Sequence, residues 1–131
     1  KLCINVNVAG TPASAYAALW DSTGTRLGVS ADIFATLTTT GLKQLAMTGA
    51  GLTNIAPGYV YGGFLWSGAG AAPQLRVIAA VTGAQINGLL GTSALRHAYY
   101  PAAGGLSSMP SPLVMANMVS WTTGVWMGLA A

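Results

Sequence analysis

The sequence feature that most constrains the fold is an alternation of apolar and polar side chains with a period of two residues. In segment 2–8 the even positions are aliphatic, and Asn5 and Asn7 lie between them. Successive side chains of a β-strand point to opposite faces, so this alternation predicts a strand with one buried face. Cys3 shares the asparagine face and is expected to be a small buried side chain. The aliphatic face consists of Leu2, Ile4, Val6 and Val8.

A second pair of extended runs is joined by a short turn. The apolar run Ala15–Trp20 leads into Asp21-Ser22-Thr23-Gly24-Thr25, and alternation resumes at once after it. Aspartate at the first position of a type I turn accepts backbone hydrogen bonds, and glycine at the fourth tolerates a positive φ. The pattern predicts a β-hairpin. One face of its second strand is expected to carry Leu27, Val29, Ala31 and Ile33, and the other Arg26, Gly28, Ser30 and Asp32.

Turn residues recur at intervals of about 8–12 residues with no sustained helical period, which favours an all-β sandwich. Tyr59–Trp66 is apolar on both faces, which indicates a central strand buried on both sides or a strand whose outer face meets a partner.

The secondary structure of Thr82–Arg96 is ambiguous, because Gly88 and Gly91 make a short helix around Ala84–Leu90 less favourable. Pro101–Pro112 is predicted to be a loop. Other segments predicted to contain strands are Leu42–Thr48, Gln74–Val81, Arg96–Tyr100, Val114–Trp121 and Thr122–Leu129.

Charge is scarce in this chain. It has five Lys or Arg and two Asp or Glu among 131 residues, with a net charge of +3, whereas about a quarter of residues are charged in an ordinary soluble domain. A surface so poor in charge is expected to be covered by other protein. The basic residues form no cluster, which excludes a nucleic-acid-binding face. The uncharged stretches 44–74 and 97–131 are interrupted too often for a membrane span, which needs about 20 apolar residues.

The length indicates a single domain over residues 1–131, since domains are most often about 100–150 residues long. The first ten residues begin inside a strand pattern and lack the longer apolar stretch and cleavage site of a signal peptide. We therefore expect the chain to be a fragment of a longer protein.

The supply of catalytic and metal-binding groups is small. Glycoside hydrolysis normally needs two carboxylates, and the only two, Asp21 and Asp32, are expected to be a turn cap and a solvent-facing strand charge. A zinc site needs three or four protein ligands. The chain offers few candidates for them, namely His97, which is the only histidine, with Cys3 and the two aspartates. The chain has no G-x-S-x-G motif, which would expose a nucleophilic serine on a sharp turn. A Ser-His-Asp triad nevertheless stays an alternative, because the chain has many serines and one histidine. We expect no enzymatic activity, no metal and no cofactor.

Aromatic side chains are the main candidates for binding. Tyr and Trp combine apolar area with a polar atom, which suits both stacking on sugars and anchoring an interface. The alternative is that they fill the sandwich core, since aromatic residues are common on strands. Tyr99 and Tyr100 are adjacent, and adjacent strand residues point to opposite faces, so at most one faces a given core. The candidate ligand-binding residues are Tyr99, Tyr100 and Trp66.

Short motifs follow one another along most of the chain. They start with Trp20-Asp21-Ser22-Thr23-Gly24-Thr25-Arg26-Leu27 and end with Trp126-Met127-Gly128-Leu129-Ala130. In order, this series resembles a β-sandwich domain of minor tail proteins from actinobacterial tailed bacteriophages. It departs from that family at Trp20, where tyrosine is usual, and in a shorter N-terminal strand. The intervening motifs are Ser30-Ala31-Asp32, Thr40-Gly41-Leu42-Lys43, Ile55-Ala56-Pro57-Gly58-Tyr59-Val60, Pro73–Arg76 and Leu106-Ser107-Ser108-Met109-Pro110.

The resemblance implies a jelly-roll-like antiparallel sandwich, here of about eight strands, on a tail tip or tail fibre. It implies virion structure or host-surface adhesion outside the cell, and it assigns no catalytic residues. By analogy with tail fibres we expect a homo-oligomer, a trimer, in contact with other tail proteins. The alternatives are a carbohydrate-binding module acting on cell-wall glycans and, with less support, a hydrolase.

Overall fold

The computed structural model describes residues 1–68, 70–78, 98–99, 106–117, 119–120, 124–125 and 127–130. Within these ranges all strand pairs are antiparallel and no α-helix occurs, so the predicted all-β class is confirmed. Short 3₁₀ helices span Phe34–Thr38, Ala50–Leu52 and Met115–Asn117. The described strands are β1 (Leu2–Val8), β2 (Ser14–Trp20), β3 (Arg26–Val29), β4 (Gly41–Leu45), β5 (Tyr61–Ser67), β6 (Gln74–Leu75), β7 (Val77–Ile78), β8 (Ala98–Tyr99), β9 (Val119–Ser120), β10 (Gly124–Val125) and β11 (Met127–Leu129).

The first sheet is organised around β1, which lies between β4 and β11. Leu2 is in register with Leu45 on one side and with Leu129 on the other. β6 pairs with the C-terminal part of β1, and the register shifts between Val6 and Val8. β1 therefore lies in the middle of this sheet, and its aliphatic residues Leu2, Ile4 and Val6 face the core.

Burial along β1 confirms the predicted alternation over most of the strand. Leu2, Ile4 and Val6 are fully buried, and Cys3 on the other face is a buried free cysteine. Val8, which was predicted to point inward with them, is 44% exposed. The register shift that follows Val6 interrupts the ladder at this point, so the end of β1 leaves the core.

The second sheet has the order β3-β2-β5. The predicted hairpin is confirmed, with Ala18 opposite Val29 and Leu19 opposite Gly28. β3 is shorter than predicted, since it ends at Val29. Among the described residues β5 is hydrogen-bonded to β2 alone, so the central place in this sheet belongs to β2 and not to the aromatic-rich strand.

The two sheets pack face to face through β1 and β2, which gives a sandwich-like architecture. β1 contributes bulky aliphatic side chains, whereas β2 contributes mainly alanine. Large side chains on one layer fill the space that small ones leave on the other, as close-packed interiors require. The buried members of this cluster are Leu2, Ile4, Val6, Ala15, Ala17, Leu19, Ile33, Leu37 and Leu45.

The outer face of β2 is covered by residues 106–113, which we call the strap. Met109 and Leu113 are buried against Ala18 and Trp20. The Trp20 indole Nε1–H donates to the Pro110 carbonyl at 3.0 Å. Residues 106–112 of the strap fall within the predicted loop Pro101–Pro112, and the strap contains no strand or helix. Because the strap covers the second face, β2 is buried on both sides, which explains why its sequence is apolar at nearly every position.

Two further bonds fix the strap to the hairpin. Arg26 Nη1 donates to the Met109 carbonyl at 2.8 Å, and the Leu113 amide donates to the Gly24 carbonyl at 2.8 Å. Gly24 has a φ of 88°, and a Cβ there would collide with the Leu113 carbonyl oxygen. Glycine is needed at this position both for its backbone conformation and for the close approach of the strap.

Two further strand pairs are described in the C-terminal half. β7 pairs with β10, and β8 pairs with β9. All four lie within segments that were predicted to contain strands. A 3₁₀ helix at Met115–Asn117 precedes β9 within the predicted segment Val114–Trp121. The short helix considered around Ala84–Leu90 lies outside the described residues.

The contrast between Val6 and Val8 yields a matched test of the core. Val6→Ala removes two methyl groups from a fully buried site and should lower the free energy of unfolding by about 2 kcal/mol. Val8→Ala makes the same change at the exposed end of the same strand and should cost less than about 0.5 kcal/mol. Urea unfolding measures the free energy of unfolding of both variants. Equal losses would contradict the structure, in which Val6 lies inside the core and Val8 lies outside it.

A second matched pair tests the strap. Gly24→Ala and Gly41→Ala both place alanine at a positive φ, of 88° and 102°. Only Gly24 faces the strap, since a Cβ at Gly41 meets nothing within 4 Å. Strain at such a φ costs about 1–3 kcal/mol at either site, and the collision with Leu113 should add at least about 1 kcal/mol for Gly24→Ala. Equal free energies of unfolding for the two variants would show that the strap does not lie against the turn.

Candidate functional site

Trp66 is the one candidate binding residue whose side chain is described. It lies near the end of β5, in register with Ala15 of β2, and is 43% exposed. Its ring centroid is 5.5 Å from that of Phe64, and the two ring planes are tilted by 39°. Phe64 packs against the core between the sheets. The core therefore supports one ring of the pair, and the other presents part of its surface to solvent.

The tyrosine pair is described only in part. Tyr99 belongs to β8, where its backbone pairs with Val119. Its side chain and the whole of Tyr100 lie outside the described residues, as does His97. The predictions for these three residues remain predictions.

Other apolar side chains are exposed on several elements of the described surface. Phe34, at the start of the first 3₁₀ helix, was not among the aromatic candidates. The alternation of apolar and polar residues does not predict its exposure, because Phe34 lies after the end of β3. Such residues mark an interaction site where they form one contiguous patch, whereas exposed apolar residues that lie singly are normal. The exposed large apolar residues are Val8, Phe34, Leu42, Ile55, Tyr59, Trp66, Val77, Val114, Val125 and Leu129.

A shallow apolar depression of about 240 Å³ lies between the two sheets on the side of β5 and β11. A Cβ added at Gly62 would come within 3.0 Å of Met127 Sδ, so glycine keeps the two layers close there. The lining side chains carry no charge and no hydroxyl group, so they offer no group for acid–base chemistry. The lining residues are Leu2, Leu19, Val60, Gly62, Met127, Gly128 and Leu129.

Asp21 caps the hairpin turn, as predicted. Its Oδ1 accepts hydrogen bonds from the Thr23 hydroxyl at 2.6 Å and from the amides of Thr23 and Thr25, each at 2.9 Å. The Gly24 amide donates to the Asp21 carbonyl at 3.0 Å, which closes the turn. The Thr23 hydroxyl bond, followed by the backbone amides, outweighs desolvation and lowers the pKa of Asp21 below its ordinary value of 3.8. Asp21 is therefore ionised at neutral pH and has no proton to donate.

Asp32 does not lie on a strand, and this part of the prediction is wrong. β3 ends at Val29, and Asp32, although exposed, accepts hydrogen bonds at Oδ1 from the Ala15 amide at 2.9 Å and from the Phe34 amide at 3.1 Å. Ser30 acts in the same way, since its buried Oγ accepts the Ala17 amide at 2.9 Å. These side chains continue the hydrogen bonding of β2 where β3 no longer runs beside it.

The two carboxylates lie at opposite ends of β2. Asp32 bonds to Ala15 near the start of the strand, whereas Asp21 follows its last residue, Trp20. Six residues of extended chain span about 20 Å. Paired glycosidase carboxylates are about 5–10 Å apart. Asp21 and Asp32 therefore cannot act on one glycosidic bond.

The described part of the chain lacks two further features. It contains no group of three or more His, Cys, Asp or Glu side chains that could hold a metal ion. It also contains no helix with the length and apolar character that crossing a membrane requires.

Comparison of the chain with protein-family models, with curated proteins and with solved structures finds no match in any of the three. The resemblance to phage minor tail proteins stays a prediction from the sequence motifs. In the structure several motif residues have a structural role: Asp21 and Gly24 form the turn, and Met109 anchors the strap.

The lowered pKa of Asp21 predicts a specific dependence of stability on pH. Its stabilising contribution is fully present above about pH 4 and is lost as the pH falls through the lower folded-state pKa. Asp21→Asn keeps an acceptor oxygen but removes the charge. The difference in unfolding midpoint between wild type and Asp21→Asn should therefore be largest near neutral pH and shrink towards about pH 2.

Ser22→Ala is the control for this measurement. It lies in the same turn and changes no ionisable group, so its difference from wild type should not vary with pH. A difference for Asp21→Asn that stays constant or grows as the pH falls would show that the carboxylate is not stabilised by the turn.

Proposed function

We propose that this chain is a structural and adhesive domain of a phage tail, within a minor tail or tail-fibre protein. It would act in the virion, outside the cell, in tail-tip assembly or host-surface recognition. The observation that carries the proposal is the ordered series of motifs that resembles this family along most of the chain. The all-β, sandwich-like arrangement of the described strands supports it, and we propose that the complete topology is jelly-roll-like, with about eight strands.

The surface supports a role in assembly. Large apolar side chains are exposed on both main sheets and on the connections between them, for example Leu42 on β4, Ile55 in a loop and Trp66 on β5. The chain has only seven Asp, Glu, Lys or Arg side chains to keep such a surface solvated. We propose that it is covered in a homo-oligomer, a trimer by analogy with tail fibres, and by neighbouring tail proteins.

The polar groups support a non-enzymatic role. The carboxylates of Asp21 and Asp32 bind backbone amides of the hairpin, and the guanidinium of Arg26 holds the strap. Each of these groups has a structural partner, and the two carboxylates are too far apart to act as a catalytic pair.

A second candidate function is binding of cell-wall glycans. The half-exposed ring of Trp66 favours it, because an exposed aromatic ring in contact with the neighbouring Phe64 ring is suited to stacking on a sugar ring. Tyr99 and Tyr100 remain proposed members of such a site. The phage-tail proposal includes this function as one form of adhesion.

Sedimentation velocity tests the proposed assembly. At micromolar concentration the purified chain should sediment as one discrete species with three times the mass of the 13.2 kDa chain. Non-specific aggregation would instead give a broad distribution that grows with concentration. A stable monomer under these conditions would overturn the proposed oligomer.

Binding to purified envelope fractions of actinobacterial cells tests the adhesive role. If the exposed ring stacks on sugars, Trp66→Ala should weaken binding by on the order of tenfold, or about 1.4 kcal/mol. Tyr59→Ala is the matched control, since Tyr59 is also an exposed aromatic residue but lies outside β5. Circular dichroism checks that both variants fold.

The outcomes of the binding experiment separate the two functions. Binding that survives Trp66→Ala, Tyr99→Ala and Tyr100→Ala unchanged would remove the aromatic site. No binding to any fraction would remove adhesion and leave the structural role, which the sedimentation experiment tests by itself.

A further inference from the structure

No further inference is drawn: the strongest candidate, the apolar depression between the two sheets on the side of β5 and β11, carries none because nothing in the described residues shows what covers it.

Discussion

The contact between the inner faces of β1 and β2 is the interaction on which the rest of the structure depends. β1 brings Leu2, Ile4 and Val6 to this contact, and the alanines at 15 and 17 leave the space that these side chains fill. Facing sheets lie about 10 Å apart, and side chains from both inner faces interdigitate to fill this space, with Leu19 as the large residue that β2 contributes. Each of these two strands lies between two partner strands of its own sheet.

The burial of β2 on both faces has consequences for the few charged groups. The strap covers the outer face, and the bond from Arg26 to the Met109 carbonyl keeps it there. Asp21 and Asp32 hold the ends of the hairpin. These three charged groups therefore have structural roles in the hairpin and the strap. The large apolar side chains that are exposed among the described residues remain for recognition, and they are the physical basis of the proposed role in assembly and adhesion.

Local patterns made part of this fold predictable. The face of β1 follows from alternation alone, and the hairpin follows from aspartate and glycine spaced for one turn. Features that depend on contacts between distant residues could not be predicted from local sequence. The hydrogen bond between Trp20 and Pro110 joins residues 90 positions apart. Val8 is exposed at the end of β1, beyond a shift in its pairing with β6. The exposure of Trp66 could not be predicted from the sequence either, because an aromatic residue on a strand has the same sequence pattern whether it lies in a core or at a surface.

The most direct test of this account is a set of methyl–methyl nuclear Overhauser effects in the folded chain. The described core predicts cross-peaks that connect the methyl groups of Leu2, Ile4 and Val6 with those of Ala15, Ala17 and Leu19. Such cross-peaks require the two faces to lie within about 5 Å of each other. Their absence from a well-dispersed spectrum would contradict the sandwich, and with it every role assigned to the strap and the turn.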